Sequence, residues 1–174
     1  MQHLILGGAR SGKSRYAEQL AQASNKEVIY IATASAGDEE MQERIEKHQT
    51  DRPSYWQTIE EPFLLADNLA KYDSARHCIL VDCLTLWLSN ILFDVQGDYQ
   101  EDVFLQQKLA FLTILPALQA DVILVSNEVG SGIIPMNSMS RRFVDEAGRL
   151  HQQVAQICPQ VTLITAGLAQ RLKH

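Results

Sequence analysis

The chain has 174 residues, 46% of them hydrophobic, and a formal net charge of −6. That length favours one domain spanning 1–174 with a real core, and the acidic balance argues against a nucleic-acid surface while leaving room for a local basic pocket. Three cysteines without C-x-x-C spacing, no apolar run near the roughly 20 residues of a membrane helix and a glycine loop too early for a signal peptide lead us to expect a cytoplasmic chain without a membrane span or disulfide framework.

The predicted elements alternate. "HLIL" (3–6) reads as a strand and Lys13 to Ala23 as a helix with Ala17, Leu20 and Ala21 on one face. "EVIYIAT" (27–33) is a second strand, followed by a helix from Asp38 to about His48, with Ser35 and Asp38 in capping-box spacing. "WQTIE" (56–60) reads as a short extended piece. Helices are expected from Pro62 to about Lys71, Leu84 to Phe93, Glu101 to about Leu118 and Ser138 to about Cys158. Between them, "CILVD" (78–82), "DVILVS" (121–126) and "VTLIT" (161–165) are nearly all apolar, as parallel strands covered on both faces tend to be. On the last helix Met139, Phe143, Ala147, Leu150, Val154 and Ile157 recur at steps of three and four and so share one face. The pattern predicts an α/β fold of the P-loop NTPase type, with a mainly parallel central sheet flanked by helices.

"GGARSGKS" (7–14) fits G-x-x-x-x-G-K-[ST] between a predicted strand and a predicted helix. Gly7, Gly8 and Gly12 free the backbone to turn, and Ala9, Arg10 and Ser11 complete a loop whose N–H groups face phosphate oxygens at a helix N-terminus. Lys13 is expected to reach the β- and γ-phosphates and Ser14 to ligand Mg²⁺. Asp82, at the end of an apolar run, is the candidate for the metal's second acidic residue on a neighbouring strand; a helix N-cap for "LTLWLSNILF" is a compatible role. A GTP-dependent switch is disfavoured, because "SNEVG" (126–130) lacks the Lys and Asp of a guanine-reading N-K-x-D and "DEAG" (145–148) falls inside a helical pattern. An ATPase module of a larger machine fits poorly with so short a chain, and a small kinase or transferase fits well.

A plain kinase leaves "RIEKHQTDRP" (44–53) unexplained. Met41, Ile45 and His48 fall at i, i+4 and i+7, so His48 shares the face of two apolar residues, with Arg52 and Pro53 close behind. A histidine turned inward beside an arginine suits a phosphate-facing site better than a solvated one.

These residues resemble a known family. "GGARSGKSRYAE" (7–18), "YIATA" (30–34), "DEEMQERIEKHQTDRPSYWQTIE" (38–60), "SNEVGSGIIP" (126–135), "RRFVDEAGRLHQ" (141–152) and "AGLAQRLK" (166–173) look like the bifunctional adenosylcobinamide kinase / adenosylcobinamide-phosphate guanylyltransferase of cobalamin biosynthesis. The resemblance implies transfer of a γ-phosphoryl from ATP or GTP to adenosylcobinamide, then of GMP from GTP to adenosylcobinamide phosphate through a GMP–histidine intermediate. By its place in the motif that histidine is His48. It further implies nucleotide contacts from Ala32, Thr33, Ala34, Gln49, Thr50, Asp51, Arg52, Glu60 and Asp82, and a homotrimer. A kinase-only relative without guanylyl transfer is the alternative, and a pure binding module comes third. The chain departs from the family pattern at Lys47, where a second histidine is frequent, at Asp82, where Glu is frequent, and at His151, where Asn is common. His151 is expected to be structural, and so are Trp56 and Trp87. Asn127 and Glu128 are expected at the carboxyl edge of the sheet, as ligand contacts or loop caps, and Arg141 and Arg142 as phosphate contacts or solvated helix charges.

Overall fold

The computed structural model describes residues 1–34 and 53–173. The predicted helix from Asp38 to His48, its Ser35–Asp38 capping box and the candidates His48, Gln49, Thr50, Asp51 and Arg52 lie outside the described residues. Among the described residues seven strands form one sheet: β1 (Gln2–Gly7), β2 (Glu27–Ala32), β3 (Gln57–Glu60), β4 (His77–Asp82), β5 (Asp121–Asn127), β6 (Gln160–Thr165) and β7 (Leu168–Lys173). Their order is β3-β2-β4-β5-β1-β6-β7. All neighbouring pairs are parallel except β6 and β7, which form an antiparallel hairpin. The described helices are α1 (Lys13–Ala23), α2 (Leu65–Lys71), α3 (Leu84–Leu92), α4 (Glu101–Ile114) and α5 (Ser138–Ile157). Among the described residues no helix is long and apolar enough to cross a membrane.

The near-continuous apolar runs follow from a sheet covered on both faces. Leu4, Ile29, Ile31, Ile79, Val81, Val122 and Leu124 pack into one cluster with buried residues of α2 to α5. Their strand neighbours Ile5, Val28, Tyr30, Leu80, Ile123 and Val125 point the other way, into a cluster with Ala17 and Ala21 of α1. Small residues on α1 bring that helix close to the strands. Cys78, Cys83 and Cys158 are all buried free thiols. Burial pushes the Cys158 thiol up to about 12, the Lys173 ammonium offsetting only part of that.

Several boundaries shift for local reasons. The helix predicted from Pro62 starts at Leu65, because the Glu61 carboxylate first accepts the N–H groups of Phe63 (3.0 Å) and Leu64 (2.8 Å). The helix predicted to Leu118 ends at Ile114 and tightens into a 3₁₀ turn over Leu115–Ala117. Pro116 lacks the N–H that an α-turn there would use. On α5, Ala147, Leu150 and Val154 are buried and Phe143 and Ile157 pack against the core as expected, but Met139 is exposed. The expected packing roles of the tryptophans hold. Trp56 is buried, and Trp87 lies edge-on to Phe111 at 5.1 Å and donates to the Phe63 carbonyl at 2.9 Å.

Candidate active site

The carboxyl ends of the parallel strands, where open α/β sheets bind ligands, carry most of the described candidates. Glu60, Ala32 and Asp82 stand side by side in register at the ends of β3, β2 and β4. Gly7, at the end of β1, is paired with Asn127 at the end of β5. The strand carrying Asp82 is not the immediate neighbour of the strand feeding the phosphate loop: β5 runs between them. The expectation of a directly neighbouring strand is corrected to one strand removed, which places Asn127 between the loop and Asp82.

The loop itself has two glycines with distinct reasons. A Cβ on Gly7 would fall 2.8 Å from the Ile164 carbonyl oxygen and into the Ser11 side chain. Gly12, the N-cap of α1, sits at φ 95°, a conformation costly for any residue with a Cβ. Arg10 adopts φ 56°, and Ala9 and Arg10 lie at the exposed tip. Gly8 shows neither crowding nor positive φ; its carbonyl accepts from Ser11 N at 3.2 Å and from the Lys13 ammonium at 3.2 Å. Lys13 is only 8% exposed, so its charge is held inside the loop. The Ser11 hydroxyl is buried and has no hydrogen-bond partner among the described residues. A buried cation and an orphan donor within a ring of backbone N–H groups suit an anion. Ser14, on the first turn of α1, is half-buried. The turn of the β6–β7 hairpin closes the far side, Gly167 N donating to the Ser11 carbonyl at 2.8 Å.

Asp82 does not cap the following helix. The N-cap of α3 is Cys83, and Asp82 accepts the Tyr30 hydroxyl at 3.0 Å. Burial raises the Cys83 thiol's pKa and the Asp82 carboxylate raises it further, while Lys13 acts against them, so cation and carboxylate both reach this thiol electrostatically. Thr33, expected as a nucleotide contact, is fully buried, its hydroxyl donating to the Cys83 carbonyl (2.7 Å) and accepting from Cys83 N (2.8 Å). Its carbonyl accepts from Asn90 at 2.9 Å. Thr33 therefore braces the ends of β2 and β4, and Ala34 beside it is half-buried.

Glu128 takes the loop-capping role, accepting from Gly130 N (2.8 Å) and Ser131 N (3.2 Å). Burial pushes this carboxyl up, but those donors more than offset it and hold its pKa below the ordinary value. Arg141 is likewise spent on the Pro135 and Met136 carbonyls, at 3.1 and 2.5 Å, and Arg142 stacks over Tyr99 at 4.0 Å. Tyr30, Thr85 and Ser126 were not legible as site residues; inside apolar runs they read as filler. Among the described residues no cluster of three or more His, Cys, Asp or Glu is arranged to hold a metal. Ser14 and Asp82 are the expected oxygen donors for a divalent ion that arrives with phosphates.

The family model for cobinamide kinase / cobinamide phosphate guanyltransferase matches residues 3–172. The chain is 51% identical over 173 residues to the bifunctional adenosylcobalamin biosynthesis protein CobP of Pseudomonas aeruginosa, covering 99% of this chain and 98% of that protein. It is 38% identical to the bifunctional adenosylcobalamin biosynthesis protein CobU of Escherichia coli, covering 99% of this chain and all of that protein. Among solved structures, the RadB recombinase superposes with a TM-score of 0.54 at 15% identity, over 93% of this chain and 73% of that one. The flagellar accessory protein FlaH from Methanocaldococcus jannaschii gives 0.50 at 19% identity, over 99% and 78%. These two likenesses show the P-loop NTPase fold alone.

Proposed function

Because the chain belongs to the cobinamide kinase / cobinamide phosphate guanyltransferase family, we propose that a single P-loop domain spanning 1–174 runs both reactions. It is a bifunctional transferase of adenosylcobalamin biosynthesis. The observation that supports one nucleotide site is the phosphate loop: a buried Lys13 ammonium and an orphan Ser11 hydroxyl beside the strand ends.

In the kinase step the loop holds the triphosphate of ATP or GTP through backbone N–H groups and Lys13, and the acceptor alcohol of adenosylcobinamide attacks the γ-phosphorus; the bond to the β–γ bridging oxygen breaks, the nucleoside diphosphate leaves with that electron pair, and the alcohol's proton goes to solvent. In the transferase step the His48 imidazole attacks the α-phosphorus of GTP. A P–N bond forms, the bond to the bridging oxygen breaks, and pyrophosphate leaves with that electron pair. A phosphate oxygen of adenosylcobinamide phosphate then attacks the same phosphorus, the P–N bond breaks, and His48 is restored with adenosylcobinamide-GDP as product. Neutral imidazole is available near pH 7 because its ordinary pKa is about 6.5, and dividing the transfer into two displacements is nucleophilic catalysis. Ser14 and Asp82 would hold Mg²⁺, which would supply charge neutralisation at the phosphates. Lys13 stabilises charge on the leaving pyrophosphate. Ala32, Ala34, Gln49, Thr50, Asp51, Arg52 and Glu60 are assigned as nucleotide contacts by the resemblance, which also supports a homotrimer.

Incubation with Mg²⁺ and α-labelled GTP, without corrinoid, tests this directly. The expected result is acid-labile, base-stable label on the protein that His48→Ala abolishes. Label that survives the substitution, or none on the wild type, leaves at most a kinase.

A further inference from the structure

His151, on α5, is a half-buried imidazole that neither reaction uses. Its Nε2 lies 2.7 Å from the Ser126 hydroxyl, which is itself fully buried at the end of β5. Ser126 Oγ is 3.4 Å from Thr85 Oγ1, on the first turn of α3. Thr85 Oγ1 in turn accepts Asn127 N at 2.8 Å and Asn127 Nδ2 at 3.1 Å.

The hydrogens of this chain can be assigned from its donors and acceptors. Asn127 supplies two N–H donors, and a hydroxyl oxygen has two lone pairs. Both lone pairs of Thr85 are therefore taken. The Ser126 hydrogen has its short bond to His151 Nε2, which must be an unprotonated acceptor. Burial lowers the pKa of His151, with the Glu128 carboxylate only partly offsetting it, so the ring is neutral at pH 7. If His151 could not accept, the Ser126 hydrogen would turn to Thr85 Oγ1 and compete with Asn127 for its lone pairs.

Asn127 gives the chain its outlet. Its Nδ2 is turned toward Thr85 and, more distantly, Cys83 Sγ at 3.9 Å. Among the described residues nothing donates to its carboxamide oxygen, and its strand position is paired with Gly7, between the phosphate loop and Asp82. An amide oxygen accepts from O–H or N–H groups and is repelled by phosphate oxygens.

We propose that His151 is a positioning residue for the transfer chemistry: through Ser126 it keeps Thr85 free to hold Asn127, whose carboxamide oxygen then receives an O–H group at the phosphate site. This rests on the kinase and guanyltransferase reading above. The O–H donor is either the acceptor alcohol or a water of the metal's shell. The alcohol takes part only in phosphoryl transfer, whereas metal-bound water serves both reactions.

The test compares wild type, His151→Leu and His151→Gln. Gln places an amide oxygen near the position of Nε2, and Leu fills the space without an acceptor. The ¹⁵N spectrum of the wild type is expected to show His151 protonated on Nδ1 and bare on Nε2 at pH 7. His151→Leu is expected to lower kcat about tenfold, the worth of one hydrogen bond felt in the transition state, with the Kd for Mg²⁺–GTP unchanged, and His151→Gln to recover most of it. Loss confined to phosphoryl transfer identifies the alcohol; equal loss in both reactions identifies the metal's water. A protonated Nε2 in the wild type, an unchanged kcat in His151→Leu, or equal impairment of the Leu and Gln variants would overturn the proposal. Should His151→Leu not fold, the wild-type spectrum and His151→Gln still decide. A wild type with no transfer of either kind would overturn the functional reading instead, and the spectrum would then decide the hydrogen-bond chain alone.

Discussion

Gly12 shows how little freedom a phosphate loop leaves a single residue. Its φ of 95° acts against any side chain, although the Gly167 Cα, 3.4 Å from where a Cβ would sit, leaves ordinary contact distance. Gly12→Ala is expected to cost about 1–2 kcal/mol of strain, and to weaken GTP binding because relief of that strain moves the N–H groups that face the phosphates. Gly8→Ala is the contrast, since nothing lies within 4 Å of its Cβ position and φ is not positive. It is expected to leave the melting temperature unchanged. Thermal melts of the two variants, with equilibrium GTP titration of Gly12→Ala, check both statements. A Gly12→Ala protein that melts and binds like the wild type would show that the loop adapts at no cost.

At the scale of elements, the ends of β2 and β4 are tied by one side chain. The Thr33 hydroxyl satisfies both the N–H and the carbonyl of Cys83, the residue directly after Asp82. Thr33→Val keeps the shape and removes both bonds, leaving the buried Cys83 N–H unpaired while the Cys83 carbonyl keeps the Trp87 N–H at 3.2 Å. A cost of about 1–3 kcal/mol is expected, read as a lower urea midpoint at unchanged slope. A midpoint equal to that of the wild type would mean the strand ends are held by the sheet alone. On the other side of the phosphate loop, the β6–β7 turn is tied through Gly167 N to Ser11. The loop is thus braced by an element far from it in sequence.

For the molecule as a whole, the edge of the sheet opposite the site is held by charge. Asp121, at the start of β5, accepts from the Lys26 ammonium at 2.7 Å and from the amino terminus at 2.6 Å, joining the starts of β5, β2 and β1. Burial pushes the Asp121 carboxyl up, but these two cations more than offset that and hold its pKa below the ordinary value. A depressed folded-state pKa means stability that is fully present above the unfolded value, about 3.9, and lost as pH falls through the folded one. Urea midpoints followed from neutral pH downward are therefore expected to fall more steeply for the wild type than for Asp121→Asn below about pH 4, the variant being less stable at neutral pH. Parallel curves would remove Asp121 from the acid response.

The sequence by itself determined the strand–helix alternation, the parallel sheet, the phosphate loop and the family, because each is carried by local signals: continuous apolar runs, helical periodicity, glycines at fixed spacing. The exact span of α1, Lys13–Ala23, was legible for that reason. β7 was not: all six of its residues are exposed, so no buried alternation marks them, and only pairing with β6 makes them a strand. Buried Glu146 was equally hidden on the polar side of the α5 pattern, and its pairing with Arg149 at 2.5 Å needed the packed helix. Asp82 was readable as a strand-end acid, but the strand standing between it and the phosphate loop was not, since strand order depends on where each crossover lands. The chain from His151 to Asn127 was beyond reach for the same reason. It joins a helix, a strand end and a helix start, separated in sequence by 25 and 41 residues, that only the tertiary structure brings within hydrogen-bonding distance.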